Sequence, residues 1–208
     1  MLLDNENIIF LHPGKTGGTS IEYSLIDKFT KYIRYKPLGQ YAKICNYDIM
    51  YGWSKKHKIY LQHADIRFYK SLNFKLNDYT VITSVRRPYE RVLSAYYYNG
   101  WTNKMDFNDF VQNKLESSVN QNKEKAVNHF CPLIHYVTNG AYVVNHLIRL
   151  EHIEEDCKAI NLNLVKTQHA KTKASDEFED YMSAYTPKSK GIVYGLYKED
   201  FKLLGYKK

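Results

Sequence analysis

No apolar run in this 208-residue chain approaches the ~18–20 residues that a membrane-crossing helix requires. Cysteine is nearly as scarce. Cys45, Cys131 and Cys157 are odd in number, far apart and without a CxxC pair, so free thiols are expected and a disulfide framework is not. No Pro/Gly/Ser-rich linker, internal repeat or low-complexity block divides the chain, and one domain over residues 1–208 is expected. Met1–Asn7 carries acids and lacks the basic segment of a signal peptide, which predicts a cytoplasmic protein. Negative charge is in the minority: 22 acidic residues face 30 Lys and Arg, a net charge of +8. Such a balance favours an anionic partner, whether nucleotide, acidic glycan or nucleic acid.

What is present reads as strands alternating with helices. Ile8–Leu11 is a short apolar run stopped by His12-Pro13, Lys58–Leu61 suggests a second strand, and Tyr79–Val85 is rich in β-branched residues. Tyr142–Ile148 offers a fourth strand. Helical spacing begins at Thr19, with Ile21, Leu25, Ile26 and Phe29. It begins again at Pro88, over Phe107–Leu115, with an acidic start at Glu151, Glu154 and Glu155, and at Thr186-Pro187, where it runs to Gly205. The alternation argues for a parallel sheet of the α/β class.

The stretch His12-Pro13-Gly14-Lys15-Thr16-Gly17-Gly18-Thr19-Ser20 contains the Gly-Lys-Thr of a phosphate loop. The glycine that should open such a loop, five residues before Gly14, is Ile9. The additional glycines follow the lysine. Gly17 and Gly18 let the backbone approach an anion closely, the helix start adds partial positive charge, Lys15 adds a cation, and Thr16, Thr19 and Ser20 add hydroxyls. A second motif, Val85-Arg86-Arg87-Pro88-Tyr89-Glu90-Arg91-Val92-Leu93-Ser94-Ala95-Tyr96, follows a strand. Arg86 therefore stands at a carboxyl edge, where open α/β sheets bind ligands. Its guanidinium fork suits a phosphate, and Ser94, two helical turns on, can add a hydroxyl. Arg87 reads as a surface charge, and Arg91 as a partner for an acid that holds the loop.

These two motifs together resemble the cofactor signatures of sulfotransferases that use 3′-phosphoadenosine-5′-phosphosulfate (PAPS), closest to the carbohydrate branch with its heparan 2-O, chondroitin and HNK-1 types. Three further segments are similar to family segments: His129–Val137, Ile148–Ile160 and Tyr197–Tyr206, with Leu133 standing where the family has Gln. The resemblance implies a single-domain, P-loop-like, three-layer α/β fold with a central, mainly parallel sheet flanked by helices. It implies that Lys15, Thr16, Gly17, Gly18, Thr19 and Ser20 hold the 5′-phosphosulfate and that Arg86 and Ser94 hold the 3′-phosphate. PAPS would be the donor, 3′-phosphoadenosine-5′-phosphate (PAP) the product, and a carbohydrate hydroxyl the acceptor, with no metal required. Compared with Golgi relatives, the chain reads as a microbial or viral cytoplasmic enzyme.

Sulfuryl transfer needs a cation at the leaving phosphate, which Lys15 suits, and a base for the acceptor proton. His63 is the candidate base: it follows the Lys58–Leu61 strand and resembles a family element carrying the catalytic histidine, with Gln62 in a glycine's place. The competing reading is a strand-end histidine with a structural hydrogen bond. His129, Cys131 and His135 lack a fourth ligand for zinc and read as a loop lining the cleft. His12 reads as a packing residue at the cleft edge, and Lys188 and Lys190 as solvated. Two other functions fit parts of the pattern: a P-loop kinase or nucleotidase, and a non-catalytic polyanion- or nucleic-acid-binding module. The dispersed basic residues match no nucleic-acid-binding signature.

Overall fold

Two parallel strands ending side by side organise the protein. The computed structural model describes residues 1–3, 6–30, 53–54, 59–61, 63–121, 128–165 and 180–208. In chain order the elements are β1 (Leu2–Leu3), β2 (Ile8–Leu11), α1 (Gly18–Thr30), β3 (Trp53–Ser54), β4 (Ile59–Tyr60), α2 (Ile66–Ser71), β5 (Thr80–Val85), α3 (Pro88–Tyr98), α4 (Phe107–Asn113), α5 (Leu115–Val119), α6 (Ile134–Val137), β6 (His146–Arg149), α7 (Ile153–Ala159), α8 (Pro187–Leu196) and α9 (Lys198–Leu204). The main sheet runs β1-β2-β5-β6. β1 is antiparallel to β2, while β2, β5 and β6 are parallel, with Leu11 opposite Thr83 and Val85 opposite Arg149.

The strands alternate sides, and both sides are covered, as parallel sheets require. Ile9, Leu11, Val81 and Val85 pack with Leu61, Ile66 and Tyr69 near α2, and with Leu133 and Tyr136 near α6. Phe10, Ile82 and Ile148 face the opposite way, onto Ile21, Leu25 and Ile26 of α1 and Cys157 of α7. These are the three layers expected of the α/β fold. A separate, largely aromatic core joins α3, α4, α8 and α9 through Tyr89, Tyr96, Phe107, Phe110, Val193 and Phe201, with Tyr197 between the last two helices.

Four sequence expectations change. The Lys58–Leu61 strand is β4 (Ile59–Tyr60), which among the described residues pairs with β3 outside the main sheet, and Lys58 itself lies outside the described residues, as do Gln62 and Cys45. The Tyr142–Ile148 strand narrows to β6. Its apolar start instead closes a turn in which Val144 N–H donates to the Val137 carbonyl (3.0 Å) and Val143 is left 62% exposed. The Phe107–Leu115 helix ends at Asn113 and restarts as α5. The final helix breaks at Tyr197, whose hydroxyl donates to the Phe130 carbonyl at 2.8 Å. Thr186 caps α8, and Gly205, at φ 71°, ends α9.

Candidate functional site

The segment from His12 to Gly17 leaves the carboxyl end of β2 and enters α1, which starts at Gly18. Two of its residues take left-handed backbone, Lys15 at φ 68° and Gly17 at φ 77°. Glycine adopts this freely; lysine does so at a cost of about 1–2 kcal/mol, a strain that concentrates at functional sites. At Gly17 a Cβ would also stand 2.6 Å from Leu150 Cδ1. Thr16 is fully buried. Its hydroxyl donates to the Pro13 carbonyl at 2.7 Å, and Ser84 of β5 approaches it at the same distance. Having given its one proton to the carbonyl, Thr16 Oγ1 accepts from Ser84. The Thr16 hydroxyl therefore pins the loop to the sheet, which leaves Thr16 only its main chain to offer a ligand. Thr19 and Ser20 lie half-buried in the first turn of α1, where Ser20 N–H donates to the Gly17 carbonyl at 3.1 Å.

Two cations converge here. Lys15 is pulled down to about 8, first by burial and then by the Arg86 guanidinium. Arg86 follows β5 directly, and Glu90 holds its Nε at 3.1 Å. The exposed Arg87 also pairs with Glu90, and its backbone N–H donates to Glu151 at 2.7 Å. Helix α3 lies against the loop along one face, with Arg91, Ser94 and Tyr98 spaced as neighbours on that face. Arg91 Nε donates to the Gly14 carbonyl at 3.2 Å, and the Tyr98 ring lies 4.0 Å from Lys15 Nζ. Between them Ser94 is 1% exposed, and its hydroxyl has no hydrogen-bond partner among the described residues. A buried hydroxyl left unpaired costs about 1–3 kcal/mol and calls for an explanation. A ligand oxygen would supply one, and a lysine, an arginine and a helix start beside one loop are the donor set that an anionic ligand requires.

His63 reaches this loop although β4 does not belong to the main sheet. Its Nδ1 donates to the His12 carbonyl at 2.5 Å; because a carbonyl only accepts, Nδ1 carries the proton and Nε2 keeps its lone pair. Its own carbonyl accepts from the Tyr136 hydroxyl at 2.8 Å, and its backbone is left-handed at φ 59°. Burial, then the neighbouring His12 and His129, hold its pKa well below the usual histidine value. The rings of His12 and His129 lie 4.6 and 5.1 Å from it. His129 falls to about 4, through burial and then Lys15, Arg91 and His12. Behind the loop, His12 Nδ1 stands 3.2 Å from the buried Glu22 carboxylate. Burial pushes that carboxyl up, but His12 holds it below its ordinary range.

The chain matches the sulfotransferase family over residues 1–207, while no curated protein and no solved structure matches it. It belongs to the sulfotransferase family. Sulfuryl transfer is the reaction of that family, and a carbohydrate-type member is consistent with it.

What holds the site of this sulfotransferase together comes from far along its chain. Arg91, fully buried, donates not only to Gly14 but to the carbonyls of His129, at 3.1 Å, and Cys131. Its Nη1 faces Asp200 of α9 at 3.9 Å, the acid that the sequence reading left unnamed. Asp200 in turn accepts the backbone N–H groups of Leu133 (2.7 Å) and Ile134 (2.8 Å). One arginine and one aspartate thus fasten the first loop, the 129–134 segment and the last helix to each other. Asp200 lies in Tyr197–Tyr206, and that segment's resemblance was the signal available for it. Tyr98, Glu22 and the His12 carbonyl had no comparable signal. His129 and Cys131 lie beside the loop, with the His129 ring against Gly14 and both carbonyls on Arg91. Among the described residues no three His, Cys, Asp or Glu side chains are grouped to share a metal, and no helix is long and apolar enough to cross a membrane.

Proposed function

We propose that this sulfotransferase moves a sulfuryl group from PAPS to a carbohydrate hydroxyl by in-line displacement, with His63 as the base and Lys15 beside the leaving phosphate. Two observations carry the reading: the buried Ser94 hydroxyl, without a partner among the described residues, on the helix face that meets the loop, and the two cations Lys15 and Arg86, close enough to each other for Arg86 to lower the Lys15 pKa. PAPS, when bound, supplies a sulfuryl group already activated on a phosphate leaving group. The chain's own part is placement and charge. Backbone amides of the loop and the start of α1 receive one phosphate, and Arg86 with Ser94 receives the other.

Lys15 supplies an ammonium where negative charge grows, in a half-buried setting that strengthens its effect. His63 holds a lone pair at Nε2, because His12 takes up Nδ1–H, and burial keeps the ring neutral at neutral pH. A base placed in this way contributes ~10²–10⁴ in rate. The carbohydrate acceptor rests on the likeness of the two motifs to the carbohydrate branch. Against a P-loop kinase stands Ile9, which lies inside β2, buried and paired with Leu2 and Val81, so no glycine opens a nucleoside-triphosphate cradle.

Calorimetric titration with PAP, using 5′-AMP and ATP with Mg²⁺ as controls, tests the reading. Micromolar PAP binding with 5′-AMP much weaker is expected. No PAP binding, or a preference for ATP with Mg²⁺, refutes it.

A further inference from the structure

Tyr98 is 63% exposed, so core packing makes little claim on it, yet its ring is held in a defined place. One edge contact fixes it: the His129 ring lies 4.9 Å away at 86°, and His129 is itself tied to Asn99 Oδ1 at 3.1 Å. The ring receives the Lys15 ammonium at 4.0 Å from its centre, well within cation–π range. Lys15 has reason to go elsewhere. It sits on left-handed backbone, is partly desolvated, and has the Arg86 guanidinium as a neighbour. Arg86 has its own compensation in Glu90.

We propose that Tyr98 is a positioning residue: its ring holds the Lys15 ammonium at the first loop, so that both cations of the anion site stand in place before an anion arrives, and keep their places after it binds. The inference rests on the reading of this loop as the donor's anion site. It concerns a side chain that neither motif includes. The charged and titratable groups around Lys15 are Arg86 at the end of β5, with Glu90 behind it; Arg91 and Tyr98 on α3; His129 on the 129–134 segment; and His12 with Glu22 behind the loop. Those nearest the ammonium bring positive charge or a neutral ring, and the carboxylates are engaged with Arg86 and His12. The π face of Tyr98 is therefore the attraction that keeps Lys15 both charged and local.

The test uses the full chain with ¹³C-labelled lysine, as wild type, Tyr98→Leu, which keeps bulk but removes the π face, and Tyr98→Phe, which keeps the face. Lys15 is assigned with Lys15→Arg. In ligand-free protein the Lys15 titration midpoint, expected near 8, should fall by about half a pH unit in Tyr98→Leu and stay in Tyr98→Phe. PAP affinity at pH 7 should weaken about two- to fivefold in Tyr98→Leu only. A merely structural role for Tyr98 moves stability and leaves the Lys15 midpoint alone, so an unchanged midpoint in Tyr98→Leu overturns the proposal. Tighter PAP binding in Tyr98→Leu overturns it too, because the ring would then be a resting place that the ligand must break. If wild type binds no PAP while the midpoint still follows the π face, the holding of Lys15 stands and the PAPS reading falls.

Discussion

Replacing Asp200 by alanine probes the clamp beneath the site. The change removes the acceptor for two backbone N–H groups, those of Leu133 and Ile134, and leaves Arg91 Nη1 facing an empty space inside the protein. Arg91 keeps its three carbonyl contacts but loses its only buried counter-charge among the described residues. Removing one partner of a buried ion pair costs about 3–5 kcal/mol. The two amide bonds, at ~1.5–3 kcal/mol each to a charged acceptor, overlap with that figure and are not added to it. Against a total stability of about 5–15 kcal/mol the loss is severe. For a chain of this length, ~2–4 °C per kcal/mol gives a fall in Tm of roughly 6–20 °C.

Asparagine is a graded control. Burial already pushes the Asp200 carboxyl up, with Arg91 and the two amides pulling it back, so a neutral isostere that retains one acceptor oxygen costs less than alanine. The assay is thermal unfolding by calorimetry, followed by PAP titration well below each variant's Tm. The expected order is wild type above Asp200→Asn above Asp200→Ala, with PAP affinity reduced in the last even where it is folded, because Arg91, which ties Gly14 to the 129–134 segment, loses the carboxylate that faces it. A Tm for Asp200→Ala within about 3 °C of wild type would falsify the clamp.

Other outcomes follow from the same geometry. Ser94→Ala removes the hydroxyl that has no partner among the described residues and should raise the ligand-free Tm by about 2–12 °C while weakening PAP about tenfold; a lower Tm means that Ser94 has a structural partner. Lys15→Met should abolish most PAP affinity, yet stabilise the ligand-free fold at pH 7. The folded-state pKa of Lys15 is lowered from 10.5 to about 8, so between these values the unfolded chain binds more protons and stability rises with pH. In Lys15→Met that rise should flatten, and an identical Tm-against-pH curve refutes the assignment. For turnover, kcat/KM should fall above about pH 8 as Lys15 loses its proton, and its acid limb should lie well below 6.5, where His63 gains one. An acid limb at or above 6.5 that persists in His63→Gln would remove His63 from the role of base.

Much of the frame was legible from local signals. Ile8–Leu11 and the β-branched run ending at Val85 are strands because their residues suit a pleat buried on both faces. Pro88 opens a helix because its ring presets the backbone of a first turn, and Gly205 closes one because it accepts left-handed backbone. The Gly-Lys-Thr-Gly-Gly loop and Arg86 were likewise visible as an anion site at strand ends. Where the apolar run was ambiguous, as at Tyr142–Ile148, local pattern failed. Pairing with β5 begins only at His146, and nothing in the run itself distinguishes a strand from the turn before it.

The sequence alone therefore determined which segments are strand, turn and helix at the two motifs, and which side chains there can meet an anion, because these follow from short-range sterics and side-chain chemistry. Only the tertiary structure decided how those side chains are used. It leaves Ser94 without a partner among the described residues; it also sends the Thr16 hydroxyl inward to Ser84, brings His63 onto the carbonyl of His12 fifty-one positions away, seats Lys15 on Tyr98, and closes Arg91 on Asp200. Each of these pairings joins residues whose separation along the chain carries no local preference for contact. Each exists because burying the sheet and the aromatic core leaves those groups adjacent, where an unmet donor, acceptor or charge is costly.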